Sequence, residues 1–453
     1  MSDEQPVRRR AQSGTANTDA VQKEYQPYVD AEWGFVNHWY PALFSNELGE
    51  GEVEGIQIAG IQIVLRRANG KVFALKDQCI HRGVRLSAKP MCFNKETISC
   101  WYHGFTFNLE SGNLDTIVGN PDDPLIGNAG LTTYPVEEAA GLIFVFVRAD
   151  DFPDEDVPPL SEDLPLRFPE NSERFPHPLW PASPSLLDEN VMALGIHRTG
   201  EANWRIACEN GFDNAHILVH KDNTIVQANN WVLPLGIRPA SDDCITVFDD
   251  EDGPKGMMQW LFTDRWEPIL ENKTLDVKVE GLNSRLYRTS VILPGVLLVE
   301  NWPEEGVAQY EWYVPITEDT YEYWEVLVKH CPTEEDREQF SYRFDTVYQP
   351  LALRGFNDCD LHAREAMQDF YADGTGWQKE QLVETDISAI MWRKLASRHN
   401  RGIAPPPPGA QGRDKASSIR LRNVSEGKSP GYFVEKIDDL NNFNRTSVRQ
   451  RNK

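Results

Sequence analysis

The sequence predicts an α+β protein in which a small all-β domain is followed by a larger domain of strands and helices. The first observation is the length of 453 residues, which is more than usually folds around a single hydrophobic core. The second is a series of short apolar runs between residues 37 and 150, separated by Gly, Asn and Pro, which is typical of strands joined by turns. The third is a mixture of strand-like and helical patterns beyond residue 200.

Four segments follow from these patterns. They are an N-terminal segment (1–36), the all-β domain (37–152), the mixed domain (153–402) and a C-terminal tail (403–453). The first 30 residues are polar, and we expect them to be poorly ordered. A proline-rich stretch from 153 to 184 indicates an irregular connector. From Arg401 onward there are 11 Lys or Arg and 5 Asp or Glu, so the tail is either solvated or lies against an acidic neighbouring subunit.

The periodicity of the apolar residues predicts the individual elements. In the all-β domain, strands are expected within residues 56–67, 71–77, 97–103 and 141–147. In the mixed domain, strands are expected within 290–300, 309–316 and 323–330, and helices within 203–220, 333–365 and 387–399. The runs 309–316 and 323–330 alternate well enough in polarity to form a pair of long antiparallel strands.

Composition disfavours several classes of partner. A net charge of −25 argues against nucleic acid. The longest apolar stretch, residues 139–147, is too short to cross a bilayer, which takes about 20 residues in a helix. Residues 1–14 lack the apolar centre of a signal peptide. We therefore expect a cytoplasmic protein that binds neither nucleic acid nor a membrane.

Two Cys and two His form the first constellation with a recognisable chemistry. Cys79 and His81 are followed, after eighteen residues, by Cys100 and His103. Two thiolates can bind one iron of a [2Fe–2S] cluster while two imidazoles bind the other. A Cys2His2 zinc site is the alternative, but zinc fingers usually pair Cys with Cys and His with His. The total of seven cysteines is odd and they are widely spaced, which disfavours a disulfide framework.

A second constellation begins about a hundred residues later, in the segment 209–222. If this segment is helical, His216 and His220 lie one turn apart on the same face, and Asp213 lies one turn earlier. Two imidazoles and one carboxylate are the facial triad of mononuclear non-haem iron(II), which leaves open positions for dioxygen. The HxxxH spacing alone is weak evidence. Downstream of an electron-carrying cluster it predicts an oxygen-activating iron.

These motifs resemble those of the Rieske non-haem iron aromatic-ring oxygenases. The spacing C-x-H…C-x2-H, with Gly83 and Gly104 after its halves, resembles the Rieske motif. Other segments are similar to the oxygenase (alpha) components of the carbazole dioxygenase and oxoquinoline monooxygenase branch, and the likeness covers about residues 27–402. They are ENGFDNAHILVHKD (209–222), QYEWYVPI (309–316), GFNDCDLHAREAMQDFYADGTGW (355–377) and MWRKLASRHN (391–400).

The resemblance implies an architecture and a set of site residues. A Rieske [2Fe–2S] domain should stand beside a helix-grip catalytic domain, an antiparallel sheet with flanking helices that holds the mononuclear iron. Asp360 should be the third iron ligand, with Asp358 as its rival. The subunits should form a homotrimer in which Asp213 bridges to the cluster ligand His103 of the adjacent subunit. Asn210 is a candidate for a supporting role beside the metal.

The implied function is hydroxylation of an aromatic N-heterocycle, as in the degradation of such compounds. Dioxygen would be the oxidant, and NAD(P)H would supply electrons through a reductase, with or without a separate ferredoxin. Whether one or two oxygen atoms are inserted stays open, as does the exact ring. Two alternatives use parts of the same sequence: a Rieske-type oxidative O- or N-demethylase, and a Rieske electron-transfer protein. The electron carrier is disfavoured because it has no use for a facial triad.

Overall fold

The structure, a computed structural model, describes residues 24–165, 183–231, 236–240, 244–250, 253–260, 266–278, 288–408 and 410. At the N-terminus the expectation of poor order is wrong for residues 24–30. Gln26–Asp30 form a short helix, α1, and Tyr28 is fully buried. Its ring meets Trp204 and Trp392 edge-on, at centroid distances of 5.8 and 6.5 Å. The burial of Tyr28 among these rings orders the backbone of α1. The mostly polar sequence around Tyr28 gave no indication of this packing. Residues 1–23 lie outside the described residues.

The all-β domain contains ten strands in three sheets. The strands are β1 His38–Phe44, β2 Val53–Ile58, β3 Ile61–Ala68, β4 Lys71–Lys76, β5 Thr97–Ser99, β6 Phe105–Asn108, β7 Leu114–Ile117, β8 Thr133–Tyr134, β9 Val136–Ala139 and β10 Leu142–Val147. They pair in the orders β1-β10-β9, β2-β3-β4-β8 and β5-β6-β7. Cys100 and His103 lie between β5 and β6 of the small sheet, whereas Cys79 and His81 follow β4 of the four-stranded sheet, so the predicted cluster ligands come from two sheets. All four predicted strand regions contain strands.

One apolar core joins this domain to the mixed domain. Every residue of β10 is buried, a pattern expected for a strand covered on both faces rather than one. Phe144 of β10 packs against Trp312 with ring centroids 6.0 Å apart, and Phe44 of β1 packs against Trp324 at 5.0 Å. The two sheets therefore share buried side chains. The connector between the domains contains two short 3-10 turns, Asp154–Asp156 and Leu160–Asp163.

The mixed domain is built on a seven-stranded antiparallel sheet. The strands of the whole domain are β11 Val191–Gly200, β12 Ile237–Pro239, β13 Ile245–Phe248, β14 Gly256–Trp260, β15 Trp266–Pro268, β16 Glu271–Asn272, β17 Val277–Lys278, β18 Arg288–Ile292, β19 Val296–Glu300, β20 Val307–Pro315 and β21 Tyr321–His330. The large sheet has the order β11-β21-β20-β19-β18-β14-β13. The predicted antiparallel pair is confirmed, because β20 and β21 are in register from Val307 opposite Lys329 to Pro315 opposite Tyr321.

Helices flank this sheet. They are α2 Trp204–Phe212, α3 Thr224–Ala228, α4 Glu334–Arg343, a π-helix Phe344–Arg354, α5 Asp358–Tyr371, α6 Gly376–Lys379 and α7 Ile387–His399. Helix α2 packs on β18, β19 and β20, and α5 packs on α2. The α+β class, with an all-β domain and a second domain of antiparallel sheet and flanking helices, is confirmed. No helix among the described residues is long and apolar enough to span a membrane.

Two predicted helices differ from those observed. The helix expected over 203–220 ends at Phe212, because Asp213 is extended (φ −75°, ψ 117°), and Ala215–His220 then form a 3-10 helix. The helix expected over 333–365 is divided into three. Pro350 lies inside the π-helical part, where it cannot donate the hydrogen bond that a regular α-helix requires. Both interruptions lie next to the predicted iron ligands.

Candidate metal centres and the adjoining pocket

The first candidate centre is formed by two loops with equivalent backbones. In each loop a Gly follows the Cys by four residues, and its N–H donates to the Cys carbonyl at 2.9 Å. The N–H of each Cys donates to the carbonyl of the fifth residue after it, at 2.9 Å for Cys79 and 2.7 Å for Cys100. Gly83 and Gly104 have φ values of 71° and 70°, which glycine adopts without steric cost. The two loops thus hold their Cys residues in the same way, while His81 follows its Cys by two residues and His103 follows its Cys by three.

The side chains of these loops separate into a buried pair and an exposed pair. Cys79 and Cys100 are both 2% exposed, and their thiols are hydrogen-bonding neighbours. Burial is the main cause that raises the pKa of Cys79 to about 11, so a neutral thiol is favoured until a metal binds. His81 and His103 lie at the surface with Nδ1 atoms 3.1 Å apart. Such an arrangement offers sulfur to one iron and nitrogen to the other.

The second candidate centre brings His216, His220 and Asp360 together. The Nε2 atoms of both histidines lie 3.3 Å from the same oxygen, Asp360 Oδ1. One ligand atom from each of the three residues falls within 4.8 Å of the other two. His220 is completely buried and Asp360 is 5% exposed. Two imidazoles and a carboxylate that share one small volume can take a divalent metal on a single face.

The polar atoms of this centre lack satisfactory partners within the described parts of the chain. Neither His220 Nε2 nor Asp360 Oδ1 makes a hydrogen bond of good geometry. Burial disfavours the charged carboxylate, yet His220 and His216 hold the pKa of Asp360 well below its ordinary value. Desolvation lowers the pKa of His216, but Asp360 outweighs it and raises that pKa to about 9. Buried groups left in this state fit a site that a cation completes.

The remaining nitrogen of each imidazole is held by a different group. His216 Nδ1 bonds the backbone carbonyl of Asp213, and His220 Nδ1 lies 3.1 Å from Asn223 Oδ1. Because these oxygens are acceptors, Nδ1 carries a proton in both rings, and Nε2 is the nitrogen left to bind a metal. The ring of His220 also stacks on Phe356, with a centroid distance of 3.7 Å and an interplanar angle of 6°. Both imidazoles are therefore oriented before a metal arrives.

Asp358, the rival carboxylate, lies in a separate cluster. Arg198 bonds Asp358 Oδ1 and also donates from Nε to Glu325 Oε2 at 2.8 Å. Although only Cys359 separates Asp358 from Asp360, the two carboxylates point in different directions from the first turn of α5. The geometry brings Asp360 to the histidines and gives Asp358 to an arginine.

Asp213 and Asn210 occupy the end of α2 beside the centre. Asp213 Oδ1 accepts from the N–H of Ala215 at 2.7 Å, and burial raises the pKa of the Asp213 carboxyl. Because the chain is extended at Asp213, this residue does not continue the helical face that the sequence predicted for it. Asn210 Oδ1 accepts from Arg364 Nε at 2.6 Å, which connects it to a buried polar group described below.

A pocket opens beside His216 and Asp360, with about 640 Å³ of empty space including its mouth. Its apolar lining consists of Ile217, Ile237, Leu297, Val299, Trp302 and Phe356. Its polar lining away from the metal includes Gln259, Thr289, Gln309, Glu311 and Arg364. An apolar pocket with a polar end, beside a candidate metal centre, suits a flat, weakly polar molecule.

The polar end of the pocket is a fixed network. Glu311 accepts hydrogen bonds from the hydroxyls of Tyr313 and Tyr323, each at 2.7 Å, and from Gln309 Nε2 at 2.6 Å. Arg364 lies 3.9 Å from Glu311, and its guanidinium faces the ring of Tyr323 at 4.6 Å. The buried charges are thus paired and surrounded by donors, which limits their movement when a molecule enters.

Family comparisons match both parts of the chain. Residues 38–135 match the Rieske [2Fe-2S] domain, and residues 152–404 match a model described as homotrimeric ring hydroxylase. The chain belongs to the homotrimeric ring hydroxylase family. It is a Rieske non-haem iron oxygenase of aromatic compounds, as the sequence predicted. The zinc-site reading of the Cys and His pairs is thereby excluded. A simple Rieske electron carrier is also excluded, because the second match spans the whole mixed domain.

Individual relatives in this family are similar over most of their length. The chain is 41% identical to the terminal oxygenase component of carbazole 1,9a-dioxygenase from Metapseudomonas resinovorans, over 84% of this chain and 95% of the relative. A solved structure of a 2-oxoquinoline 8-monooxygenase component is 71% identical, with a TM-score of 0.86, covering 92% of this chain and 98% of that one. The carbazole 1,9a-dioxygenase terminal oxygenase from Novosphingobium sp. KA1 is 38% identical, with a TM-score of 0.76 and coverages of 86% and 99%.

Several residues around the ring hydroxylase centre were missed by sequence reasoning. Asn223, Phe356 and Trp302 contact the ligands or line the pocket, and Glu311 and Arg364 form its polar end. Asn223 stands three residues from His220 and Phe356 four residues from Asp360, so closeness in sequence to these residues was a usable signal. Glu311 and Arg364 gave none, because an alternating strand and an amphipathic helix can carry such residues on a solvated face.

Proposed function

We propose that this protein is the terminal oxygenase component that hydroxylates an aromatic N-heterocycle of the oxoquinoline or carbazole type. Dioxygen is the oxidant, and electrons come from NAD(P)H through a reductase and a ferredoxin. The observation that carries the proposal is the apolar pocket next to the His216, His220 and Asp360 centre. The named relatives act on such rings or belong to enzymes that do, and several solved relatives are complexes with ferredoxin.

Each metal group has a proposed set of residues. Cys79 and Cys100 with His81 and His103 hold the [2Fe–2S] cluster. His216, His220 and Asp360 hold the mononuclear iron. When bound, the cluster supplies single electrons and the iron supplies dioxygen activation.

The pocket residues select and orient the ring. Leu297, Val299 and Trp302 offer apolar surface, and burial of a flat ring contributes roughly 25 cal/mol per Å². Gln309 has a buried amide oxygen with no hydrogen-bond partner among the described residues, while its Nε2 is held by Glu311. An N–H group on the substrate would satisfy this acceptor. Burial of the ring against the apolar lining then supplies affinity. The few polar contacts fix which carbon of the ring faces the metal.

Asp213 is proposed as the link between neighbouring subunits of the trimer. Asp213 lies between α2 and the segment that carries both histidines. Its backbone carbonyl accepts a hydrogen bond from His216 Nδ1, so Asp213 is in contact with His216. In the trimer the exposed His103 of one subunit would bond the Asp213 carboxylate of the next. The exposed side chains of Ile80, Trp101 and Tyr102, which flank the two cluster histidines in sequence, support this, because contiguous exposed apolar surface often marks a protein interface.

Product analysis under isotopically labelled dioxygen tests the proposal. The purified oxygenase, a reductase and a ferredoxin would be supplied with NADH and a panel of 2-oxoquinoline, carbazole, their N-methyl derivatives and methoxyarenes. We expect an N–H heterocycle to consume dioxygen and form labelled hydroxylated product in nearly equal amounts. If these rings yield only hydrogen peroxide, while an N-methyl or methoxy compound releases stoichiometric formaldehyde, the demethylase alternative replaces the proposal.

A further inference from the structure

Asn223 occupies the N-cap position of α3 without acting as a cap. Its backbone is extended (φ −66°, ψ 144°), as an N-cap residue should be, yet its side chain makes no capping hydrogen bond. Asn is among the preferred N-cap residues, and such a bond usually stabilises the start of a helix. The side chain is also buried, with 3% of its surface exposed. Its polar atoms must therefore be engaged elsewhere.

They are engaged by both metal-bearing segments. Oδ1 lies 3.1 Å from Nδ1 of His220. Nδ2 donates to the carbonyl of Gly355 at 2.8 Å and lies 3.3 Å from Cys359 Sγ. The amide orientation is unambiguous, because Nδ2 faces a carbonyl that can only accept. Oδ1 must then face the imidazole, and His220 must carry its proton on Nδ1.

We propose that Asn223 is a positioning residue for the mononuclear iron, acting through His220. It fixes the tautomer and the ring orientation of His220, so that the Nε2 lone pair points at the metal. Its other two contacts join this segment to the chain that leads into Asp360. One side chain thus sets the separation between a histidine ligand and the carboxylate ligand. The inference rests on the proposed assignment of His220 and Asp360 as iron ligands.

The expected size of the effect follows from other metal sites. Partners of this kind, behind a ligating histidine, typically change metal affinity 10- to 100-fold when they are removed. His216 is held by a backbone carbonyl instead, which no side-chain substitution deletes. Asn223 is therefore the substitution that isolates the orientation of an iron-binding imidazole from its presence.

The test compares three full-length variants in the assembled oxygenase. Asn223→Leu removes all three contacts while it keeps the number and branching of the side-chain heavy atoms. Asn223→Asp keeps an oxygen facing His220 and loses the donor to Gly355 and Cys359. Asn229→Ala is the control, since Asn229 lies at the other end of the same helix and its side chain donates to the Ile225 carbonyl of that helix at 2.8 Å. The readouts are iron(II) affinity by competition with a chelator, the Rieske absorption spectrum and the thermal midpoint.

We expect Asn223→Leu to bind iron(II) 10- to 100-fold more weakly, with an unchanged Rieske spectrum. Asn223→Asp should recover most of that affinity, and Asn229→Ala should equal the wild type. Wild-type affinity in Asn223→Leu, or equal losses in the Leu and Asp variants, would overturn the positioning role. Equal losses would mean that the contacts to Gly355 and Cys359 alone matter. If Asn223→Leu does not fold, a loss in Asn223→Asp as large as that of His220→Ala overturns it.

His220→Ala separates this inference from the proposed function. If His220→Ala retains iron, the ligand assignment itself is wrong. If His220→Ala loses iron while Asn223→Leu keeps it at wild-type affinity, the assignment stands and only the role of Asn223 fails.

Discussion

His216, His220 and Asp360 illustrate how a buried site can be set up for a metal at a cost to the protein without it. Each side chain is oriented by its own element, and the two histidines face one carboxylate oxygen at 3.3 Å. Removing polar atoms from water without full hydrogen bonding is unfavourable by about 1–3 kcal/mol per group. A bound cation offsets that cost, so metal binding and local stability are coupled.

The ligand assignment leads to a prediction at single residues. His216→Ala, His220→Ala and Asp360→Ala should each lose the mononuclear iron, while the Rieske cluster, held in the other domain, keeps its spectrum. Asp358→Ala is the matched control, because Asp358 is paired with Arg198. Iron analysis per subunit together with electron paramagnetic resonance of the reduced cluster measures both metals. Loss of iron from Asp358→Ala and its retention by Asp360→Ala would show that the third ligand is misassigned.

Arg364 allows a second prediction, on stability. It is 1% exposed and forms an ion pair with buried Glu311 at 3.9 Å. Arg364→Met leaves that carboxylate buried without its charge partner, a change that usually destabilises by about 3–5 kcal/mol. We expect a lower urea midpoint, partly restored in the double variant Arg364→Met/Glu311→Gln, because the uncompensated charge is then gone. Equal midpoints for the single and double variants would assign the loss to the bond between Arg364 and Asn210 instead.

At the scale of elements, the sequence predicted the strands better than the helices around the iron. Alternation identified β20 and β21, since a strand with a two-residue period has few competing interpretations. The segment 203–220 has helical spacing throughout, yet it changes from α to extended at Asp213 and then to 3-10. Periodicity over so few residues does not distinguish these forms. The pairing of His216 with His220 survived the change, whereas the expected shared face with Asp213 did not.

The choice between Asp358 and Asp360 shows a different limit of prediction from sequence. Asp358 and Asp360 are both acidic residues in the first turn of one helix, and local sequence does not separate them. The difference comes from Arg198 on β11, more than 150 residues away, which draws Asp358 aside. The lining of the pocket was equally hidden, because it is assembled from five elements or more that only tertiary packing brings together.

The two cluster loops give a prediction at this scale. Both glycines have positive φ, so alanine is strained at either position. A Cβ on Gly104 would also lie 2.7 Å from the side chain of Val118, whereas a Cβ on Gly83 would meet only the flexible Gln78, at 3.3 Å or more. Gly104→Ala should therefore lose more cluster than Gly83→Ala, measured as visible absorbance and iron per subunit. Equal cluster content in the two variants would mean that φ strain alone decides loop geometry.

Across the whole chain, His197 connects the two domains. Its Nδ1 bonds Glu322 at 2.7 Å within the mixed domain, and its Nε2 lies 3.2 Å from Glu47 of the all-β domain. Burial lowers the pKa of His197, but the two carboxylates outweigh it and raise that pKa from 6.5 to about 9. The charged imidazole is thus favoured in the folded protein at neutral pH.

The sign of the resulting pH dependence is fixed by linkage. A group whose pKa is raised on folding stabilises fully below its unfolded pKa, and that contribution is lost as the pH rises through the folded pKa. The thermal midpoint should therefore fall between about pH 6.5 and 9 more steeply in the wild type than in His197→Gln, which cannot titrate there. Thermal scans at intervals of pH measure the two slopes. Parallel curves would show that other groups dominate this range.

Electron transfer between the subunits of the trimer depends on the proposed role of Asp213. If Asp213 carries electrons between subunits, Asp213→Asn should keep both metals, because an amide oxygen can still accept from the N–H of Ala215. Oxidation of the reduced cluster in a single turnover should then slow by orders of magnitude, as followed by stopped-flow absorbance. Unchanged rates would remove Asp213 from the path.

Mixed trimers test, independently of the Asp213 carboxylate, whether electrons pass between subunits or within one chain. One parent carries His103→Ala and has a defective cluster, while the other carries His216→Ala and lacks the iron, so each homotrimer is inactive. In a random mixture each directed pair of neighbours unites an intact cluster with an intact iron in about one quarter of cases. Activity near that fraction of the wild type is expected if electrons cross the subunit boundary. If electrons instead stay within one chain, the mixture is as inactive as its parents, since no chain in it holds both working centres.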